Sequence, residues 1–161
     1  MSATLFYILS LSTVLATLMA ITRRELVHAI AYLVLSFFSI ALIFYMMGAP
    51  LIAALEVIVY AGAIMVLFLF IVMMLEMGVP KAAPKPFLRT WGPAGFIALT
   101  ILVCTCVLFA SGPGMPADGV KFISPRTFGH TLFSGYALAV EAVSLLLLFA
   151  LVGALYLGRR E

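Results

Sequence analysis

Charged side chains are scarce in this sequence. Nine basic and six acidic residues occur among 161, which is 9% of the chain, whereas ordinary soluble domains carry about 25% charged residues. Hydrophobic residues make up 66% of the chain, and the mean hydropathy is +1.29. A water-soluble surface cannot be built from so few charges. The composition therefore excludes a soluble domain and indicates an integral membrane protein.

Residues that build metal, disulfide or catalytic sites are nearly missing as well. The two cysteines, Cys104 and Cys106, lie two residues apart in one apolar run, where a helix directs them differently, so we interpret both as packing residues. The sequence contains no phosphate-binding glycine loop, no metal-ligand spacing and no serine–histidine–acid set outside the apolar runs. We therefore expect no catalytic residue, metal ligand, bound cofactor or nucleic-acid site in this chain.

Five long apolar runs make up most of the chain. Each is long enough to cross a hydrocarbon core of about 30 Å as a helix. The first has no basic residue before it, so we interpret it as a retained span and not as a cleaved signal peptide. The sequence predicts an all-α integral membrane protein, a single membrane domain over residues 1–161 with spans at 4–21, 27–47, 51–76, 91–110 and 132–157.

The basic residues are distributed unevenly among the connections. With the N-terminus outside, Lys121 and Arg126 fall on the external side, in the loop 111–131. Seven others then fall on the cytoplasmic side: Arg23, Arg24, Lys81, Lys85, Arg89, Arg159 and Arg160. Cytoplasmic connections carry an excess of lysine and arginine. The distribution therefore predicts an external N-terminus and a cytoplasmic C-terminus.

The third apolar run, LIAALEVIVYAGAIMVLFLFIVMMLE, contains an acid, Glu56. A charged side chain in the centre of a bilayer costs roughly 2.5–3.5 kcal/mol on insertion scales. Such a group faces a neighbouring helix or a water-filled path, or it keeps its proton. Glu56 lies about five residues below the external end of the run, roughly 7–8 Å along a helix axis.

Tyr60 follows Glu56 by four residues, so both share one face of an α-helix. The same α-helical projection continues that face through apolar positions, Ala63, Leu67 and Met74. Small residues, which let other helix backbones approach closely in lipid, crowd the region: Ala53, Ala54, Ala61, Gly62 and Ala63. Both polar groups are therefore expected to meet one partner surface.

Several polar groups in or near the runs leave two interpretations open. Glu56 either handles protons or is a protonated residue hydrogen-bonded to a partner helix, and its position does not decide between them. Tyr60 is also typical of a membrane interface. Glu141, about nine residues in from the external end of the fifth run, fits a structural or subunit contact better than proton transfer. His28 fits an interfacial histidine better than a proton relay.

Two stretches resemble a known family. LEVIVYAGAIMVLFLFIVMML, residues 55–75, resembles the third transmembrane helix of subunit J of respiratory complex I, the bacterial NADH–quinone oxidoreductase, whose mitochondrial counterpart is NADH dehydrogenase subunit 6. GHTLFSGYALAVEAVSLLLLFALVGALYLGRR, residues 129–160, resembles the last helix of that family. VHAIAYL, residues 27–33, matches more loosely, because Glu-Leu-Val-His stands at 25–28 where the family usually has Asn-Pro-Val-His.

The resemblance implies a non-catalytic subunit in the membrane arm of an enzyme of the bacterial inner membrane. Its partners would be the lipid bilayer and subunits H, A and K, with the antiporter-like subunit N nearby. NADH, FMN, iron–sulfur clusters and quinone would be bound by other subunits. The function implied is the coupling of quinone reduction to proton translocation.

The resemblance also implies that the third helix can switch. In the family this helix changes between a regular α-helix and one with a π-bulge, around the segment that matches residues 60–67. The implied switch segment consists of Tyr60, Ala61, Gly62, Ala63, Val66, Leu67 and Phe68. The implied proton path uses Glu56, Tyr60 and Glu141. A glycine between two alanines offers little steric resistance to such a change, and π-bulges occur frequently at functional sites.

Three other functions remain open. The chain could be the equivalent subunit of a related complex with another electron donor, or a scaffold that only joins the quinone and antiporter modules. It could also be a small free-standing transporter. The lack of internal repeats and of paired broken helices speaks against the transporter.

Overall fold

The structure is a computed structural model, and it describes residues 2–23, 25–76, 87–110 and 123–159. Within these ranges every regular element is helical. They belong to two compact units, Met1–Phe122 and Ile123–Glu161. The predicted connections lie outside the described residues over 77–86 and 111–122.

The described residues of the first unit form four long helical stretches, of which the third changes its hydrogen-bond pattern along its length. Its elements are α1 (Ser2–Thr22), α2 (Leu26–Met46), α3 (Pro50–Leu55), a π-helical segment (Glu56–Ile64), α4 (Met65–Glu76) and α5 (Phe87–Ala110). The second unit consists of α6 (Pro125–Gly135) and α7 (Ala137–Gly158).

Five helices are long and apolar enough to cross a membrane, which confirms this part of the prediction for the described residues. They are Ala3–Thr22, Leu26–Met46, Pro50–Leu75, Trp91–Ala110 and Ala137–Gly158. The first four agree with the predicted spans to within a few residues. The fifth begins at Ala137 and not at residue 132, because Tyr136 has a non-helical backbone (φ −125°, ψ 25°) that separates α6 from α7.

α1 and α2 are antiparallel and joined by two pairs of hydroxyl groups. The Oγ atoms of Ser12 and Ser39 are 3.1 Å apart, and Thr17 Oγ1 is 2.9 Å from Ser36 Oγ. Ser12 Oγ donates to the carbonyl oxygen of Leu9 at 2.8 Å, so its single proton is used and Ser39 is the donor between them. The three serines are buried, and the pairing satisfies hydroxyls that lipid cannot solvate.

α2 and α5 run parallel, as the second and fourth spans of a chain that alternates sides must. The rings of His28 and Trp91 pack near the start of both helices, with centroids 4.6 Å apart. Tyr45 and Phe109 stack at their other ends at 5.9 Å. Between these contacts lies a core of small and branched residues around one tyrosine: Ala16, Ala20, Tyr32, Ala94, Ile97 and Ile101.

The reversal from α2 into α3 depends on one glycine. Gly48 has φ 81°, a left-handed conformation that glycine adopts without strain. The Gly48 and Ala49 N–H groups donate to the carbonyl oxygens of Tyr45 and Phe44 at 3.1 and 3.0 Å, which closes α2 with a Schellman motif. Pro50 then occupies the first turn of α3, so the third span begins at once.

Candidate functional site

The third span contains a nine-residue π-helix, Glu56–Ile64, between α3 and α4. The N–H of Met65, the residue that follows the segment, points to the carbonyl oxygen of Gly62 and to that of Tyr60, five residues earlier. π-helical turns are rare, and they frequently mark functional sites. The segment is therefore the most unusual backbone feature that the described residues contain.

Gly62 lies where the π-helix brings the backbone close to itself. A β-carbon at residue 62 would lie 3.1 Å from the carbonyl oxygen of Val57, which is tighter than ordinary van der Waals contact. Glycine removes this conflict. A glycine at position 62 therefore favours the π-helical pattern more than any other residue type would. The sequence shows that residue 62 is small, but it does not show that Val57 is its neighbour.

Glu56 is the first residue of the π-helical segment. It lies six residues after Pro50, about 9 Å along the axis from the start of α3, close to the predicted depth. The side chain is half-buried. Among the described residues, none forms a hydrogen bond or ion pair with its carboxylate. The group therefore has its polar atoms free for water or for a neighbouring chain.

Tyr60 lies one turn further along the same segment and is 48% exposed. Its ring packs against Phe37 of α2, with ring centroids 5.6 Å apart and an interplanar angle of 39°. This contact holds the ring beside α2 and leaves the hydroxyl without a partner in the part of the chain that the structure describes. Phe37 is a site residue that the sequence did not reveal, because only tertiary packing brings it to Tyr60.

The predicted α-helical face beyond Tyr60 is wrong. The prediction applied the α-helical period through Ala63, Leu67 and Met74, whereas Glu56–Ile64 follows the i→i+5 pattern. Each residue that a π-helix inserts rotates the following helix by about 100°. The residues that the resemblance assigned to a switch fall on both sides of the boundary. Tyr60, Ala61, Gly62 and Ala63 are π-helical, and Val66, Leu67 and Phe68 lie in α4 and are exposed.

An apolar groove of about 550 Å³ lies between α2, the third span and α5. Val34 and Phe38 line it from α2, Ala61 and Met65 from the third span, and Ala98 from α5. Its lining is almost entirely hydrocarbon, so it offers no site for a polar substrate. Because Ala61 belongs to the π-helical segment, a change of backbone pattern there would reshape the groove.

His28 lies at the beginning of α2, near the end of the span. Its Nδ1 is 2.8 Å from Glu25 Oε2, and its side chain is 14% exposed, against 55% for Glu25. Arg23, the residue after α1, donates from Nη2 to the hydroxyl of the buried Tyr32 at 3.1 Å. The guanidinium carbon of Arg23 also lies 5.3 Å from the Tyr32 ring centroid, a cation–π contact.

Glu141 lies in the second unit, on α7, where its side chain is exposed. It is four residues after Ala137, about 6 Å along the helix axis from the start of the span. The predicted depth of about nine residues is therefore wrong, because it counted residues of α6 as part of the span. Glu56 and Tyr60 share one segment of the first unit, and Glu141 belongs to a separate helix.

These helices define a multi-pass membrane protein with an acid and a π-helical segment in one span. The sequence matches the family NADH-ubiquinone/plastoquinone oxidoreductase chain 6 over residues 16–157. The chain therefore belongs to this family, which confirms the resemblance described above.

Individual relatives agree with the family match over nearly the whole chain. The chain is 43% identical over 163 residues to a protein of Pseudomonas aeruginosa named NADH-quinone oxidoreductase subunit J, covering 97% of this chain and 96% of that protein. A protein of Escherichia coli strain K12 with the same name is 44% identical over 164 residues, covering 97% and 86%. One from Rhodobacter capsulatus is 35% identical over 165 residues, covering 97% and 81%.

Proposed function

We propose that this chain is a membrane-arm subunit of NADH–quinone oxidoreductase in the bacterial inner membrane, and that it couples quinone reduction in another subunit to proton translocation. Family membership and the names of its relatives support its place in this complex. One structural observation carries the coupling role. A membrane span contains a π-helical segment that starts at a carboxylate, Glu56.

The proposed mechanism uses two backbone states of the third span. In one state Glu56–Ile64 is π-helical, and in the other it is α-helical. For each residue removed from the π pattern, α4 rotates by about 100° relative to α3, carrying Val66, Leu67 and Phe68 around the axis. A difference of a few kcal/mol between the states is small enough for a neighbouring subunit to reverse their populations.

Glu56 and Tyr60 supply the groups that a proton path needs. A carboxyl group takes up and releases a proton, and a phenol hydroxyl both donates and accepts hydrogen bonds. Neither group is satisfied by the described residues of this chain, which supports contact with water or with another subunit. Subunits H, A and K, with N nearby, are the proposed neighbours. Glu141 on α7 is proposed as a further polar contact.

The orientation and the cofactors follow the same proposal. The N-terminus lies outside and the C-terminus in the cytoplasm, which is supported by seven basic residues on the cytoplasmic side against two outside. NADH, FMN, iron–sulfur clusters and quinone belong to other subunits. Among the described residues, histidine, cysteine and acidic side chains form no group of three that could hold a metal ion.

The test compares Glu56→Gln and Tyr60→Phe in the complete complex in inner-membrane vesicles. NADH-driven quinone reduction and proton uptake are measured together with the amount of assembled complex. We expect normal assembly and fewer protons per NADH, with the larger loss for Glu56→Gln, because the amide cannot exchange a proton. Tyr156→Phe is the matched control, since Tyr156 is 81% exposed near the end of α7.

Each alternative predicts a different result. Unchanged proton uptake in both variants, with failed assembly of Gly62→Leu, would contradict coupling and support a scaffold. Ion movement by the purified chain alone in vesicles would support a free-standing transporter. Assembly into a complex that does not oxidise NADH would place the chain in a related enzyme with another electron donor.

A further inference from the structure

The second unit begins with a short helix, α6, whose N-terminus is capped by a side chain. The N–H of Thr127 donates to Ser124 Oγ at 3.2 Å, which caps the first turn of α6, and Pro125 occupies the first helical position. α6 then extends for 11 residues to Gly135. It is thus a complete helix, and a single residue, Tyr136, separates it from α7.

α6 is strongly amphipathic, although most of it lies in the predicted external loop, 111–131. At 100° per residue, its polar side chains occupy one arc: Arg126, His130, Ser134, Thr127 and Thr131. The other arc carries Phe128, Leu132 and Phe133 with Pro125, Gly129 and Gly135. Phe128 is 42% exposed and Phe133 67% exposed, so the other described residues of this unit leave much of the apolar arc uncovered.

α7 alone is long enough to cross the membrane, so α6 is not needed for the span. Its 22 residues extend about 33 Å, which matches a hydrocarbon core of about 30 Å. With one residue between the two helices, the C-terminal end of α6 must lie at the membrane boundary. Tyr136 at that boundary is 63% exposed, and tyrosine is enriched at this depth.

The charge on α6 has one sign. Arg126 and His130 lie four residues apart on the polar arc, and no acidic residue occurs between residue 123 and Glu141. A surface that combines basic side chains with an exposed aromatic and aliphatic arc matches lipid headgroups on one side and acyl chains on the other.

We propose that α6 lies in the headgroup layer of the leaflet where α7 begins. Phe128, Leu132 and Phe133 enter the acyl chains, while Arg126 and His130 bind phospholipid phosphates. The occupant of the apolar arc is lipid and not another subunit. This inference requires α7 to span the membrane, and it is independent of the proposed coupling function.

The test uses the complete complex in nanodiscs, with a fluorescent amino acid at residue 132 or at residue 134. These positions lie about 160° apart on one helix, so each is the control for the other. Quenching is measured with an acyl-chain spin-labelled lipid and with aqueous iodide. We expect the lipid to quench at 132 and iodide to quench at 134, each by at least about threefold more than at the other position.

Two outcomes would overturn the proposal. Quenching of residue 132 by neither agent would mean that another subunit covers the apolar arc. Quenching of residue 132 by iodide would mean that α6 lies in water.

A second measurement tests the basic side chains. We expect lipid quenching at residue 132 to increase about twofold when phosphatidylglycerol is added to phosphatidylcholine nanodiscs. The double variant Arg126→Gln, His130→Gln should abolish this increase. Both side chains are exposed, so we expect the double variant to fold normally. An unchanged response in the double variant would contradict phosphate binding.

Discussion

Gly62 lies against the carbonyl oxygen of Val57, at the position where an added β-carbon would be 3.1 Å from that oxygen. Val57 is five residues earlier, so this contact is a consequence of the i→i+5 pattern in Glu56–Ile64. In a regular α-helix the N–H of residue 62 would instead pair with Ile58, and this approach would not occur. The glycine therefore favours one of two backbone patterns available to the same sequence.

Gly62→Ala should shift the third span towards the α-helical pattern. The added methyl group would lie 3.1 Å from the Val57 carbonyl oxygen in the π-helix only, and overpacking of this kind costs about 1–3 kcal/mol, so alanine raises the free energy of the π-helical pattern relative to the α-helix. One kcal/mol changes a two-state ratio about fivefold. We expect assembled complex with fewer protons taken up per NADH oxidised, and a larger share of particles with an α-helical residue 62 when cryo-EM images are sorted by conformation.

Gly153→Ala is the matched control for this substitution. Gly153 also lies in a membrane span, on α7, and a β-carbon there meets nothing within 4 Å. This variant should keep the proton yield of the unmodified complex. If Gly62→Ala also kept that yield while its segment became α-helical, the π-helical pattern would have no part in coupling.

The spans were predictable from the sequence because each is set by one averaged property, hydrophobicity over about 20 residues. The π-helical segment was not, since a periodicity argument assumes the α-helical period across the whole run. Only the resemblance pointed to a π-bulge near Gly62. The start of the fifth span depends on the backbone angles of one residue, Tyr136, and composition does not determine those.

In the candidate site, too, some features could be identified from the sequence and others only from the structure. Glu56 could be identified from the sequence, because an acid in an apolar run is conspicuous whatever surrounds it. Its lack of a partner among the described residues required the structure. The neighbours of Tyr60 and Gly62, which are Phe37 and Val57, depend on helix packing and on backbone pattern.

The hydroxyl pair Ser12–Ser39 should contribute measurably to the packing of α1 on α2. Hydrogen bonds between membrane helices contribute about 0.6 kcal/mol on average in double-mutant cycles. We expect Ser12→Ala and Ser39→Ala to lower the free energy of unfolding, with an interaction energy of about 0.6 kcal/mol in the cycle. The measurement is steric-trap unfolding of the purified chain in bicelles.

Thr100→Val is the control for this cycle. The Thr100 hydroxyl donates at 3.0 Å to the carbonyl oxygen of Phe96 on its own helix, so it joins no two helices. Combined with Ser39→Ala, it should give additive changes in unfolding free energy. An additive result for Ser12 and Ser39 themselves would show that their 3.1 Å contact stabilises nothing.

The basic residues predict the orientation of the chain. A green fluorescent protein fused after Glu161 should fluoresce, because that reporter folds in the cytoplasm. Alkaline phosphatase fused after Glu161 should be inactive. The same enzyme fused after Ala110, at the external end of the fourth span, should be active. Arg159→Gln with Arg160→Gln should leave this pattern unchanged, since five basic residues remain on the same side. The opposite reporter pattern would invert the proposed topology.

Glu141 and Glu56 should differ in their effect on proton translocation because they differ in depth. Glu141 lies about 6 Å along α7 from the start of its span, and Glu56 about 9 Å along the third span, at the π-helix. A carboxylate close to the headgroups exchanges with water directly. We therefore expect Glu141→Gln to lower proton uptake per NADH less than twofold, and less than Glu56→Gln does.

A subunit contact at Glu141 predicts a further difference between two substitutions. Glutamine keeps hydrogen-bonding atoms in nearly the same place, whereas alanine removes them. Glu141→Ala should then reduce the amount of assembled complex on native gels, and Glu141→Gln should not. Equal losses of proton uptake in Glu141→Gln and Glu56→Gln, with normal assembly of both, would contradict the depth argument and place Glu141 on the proton path itself.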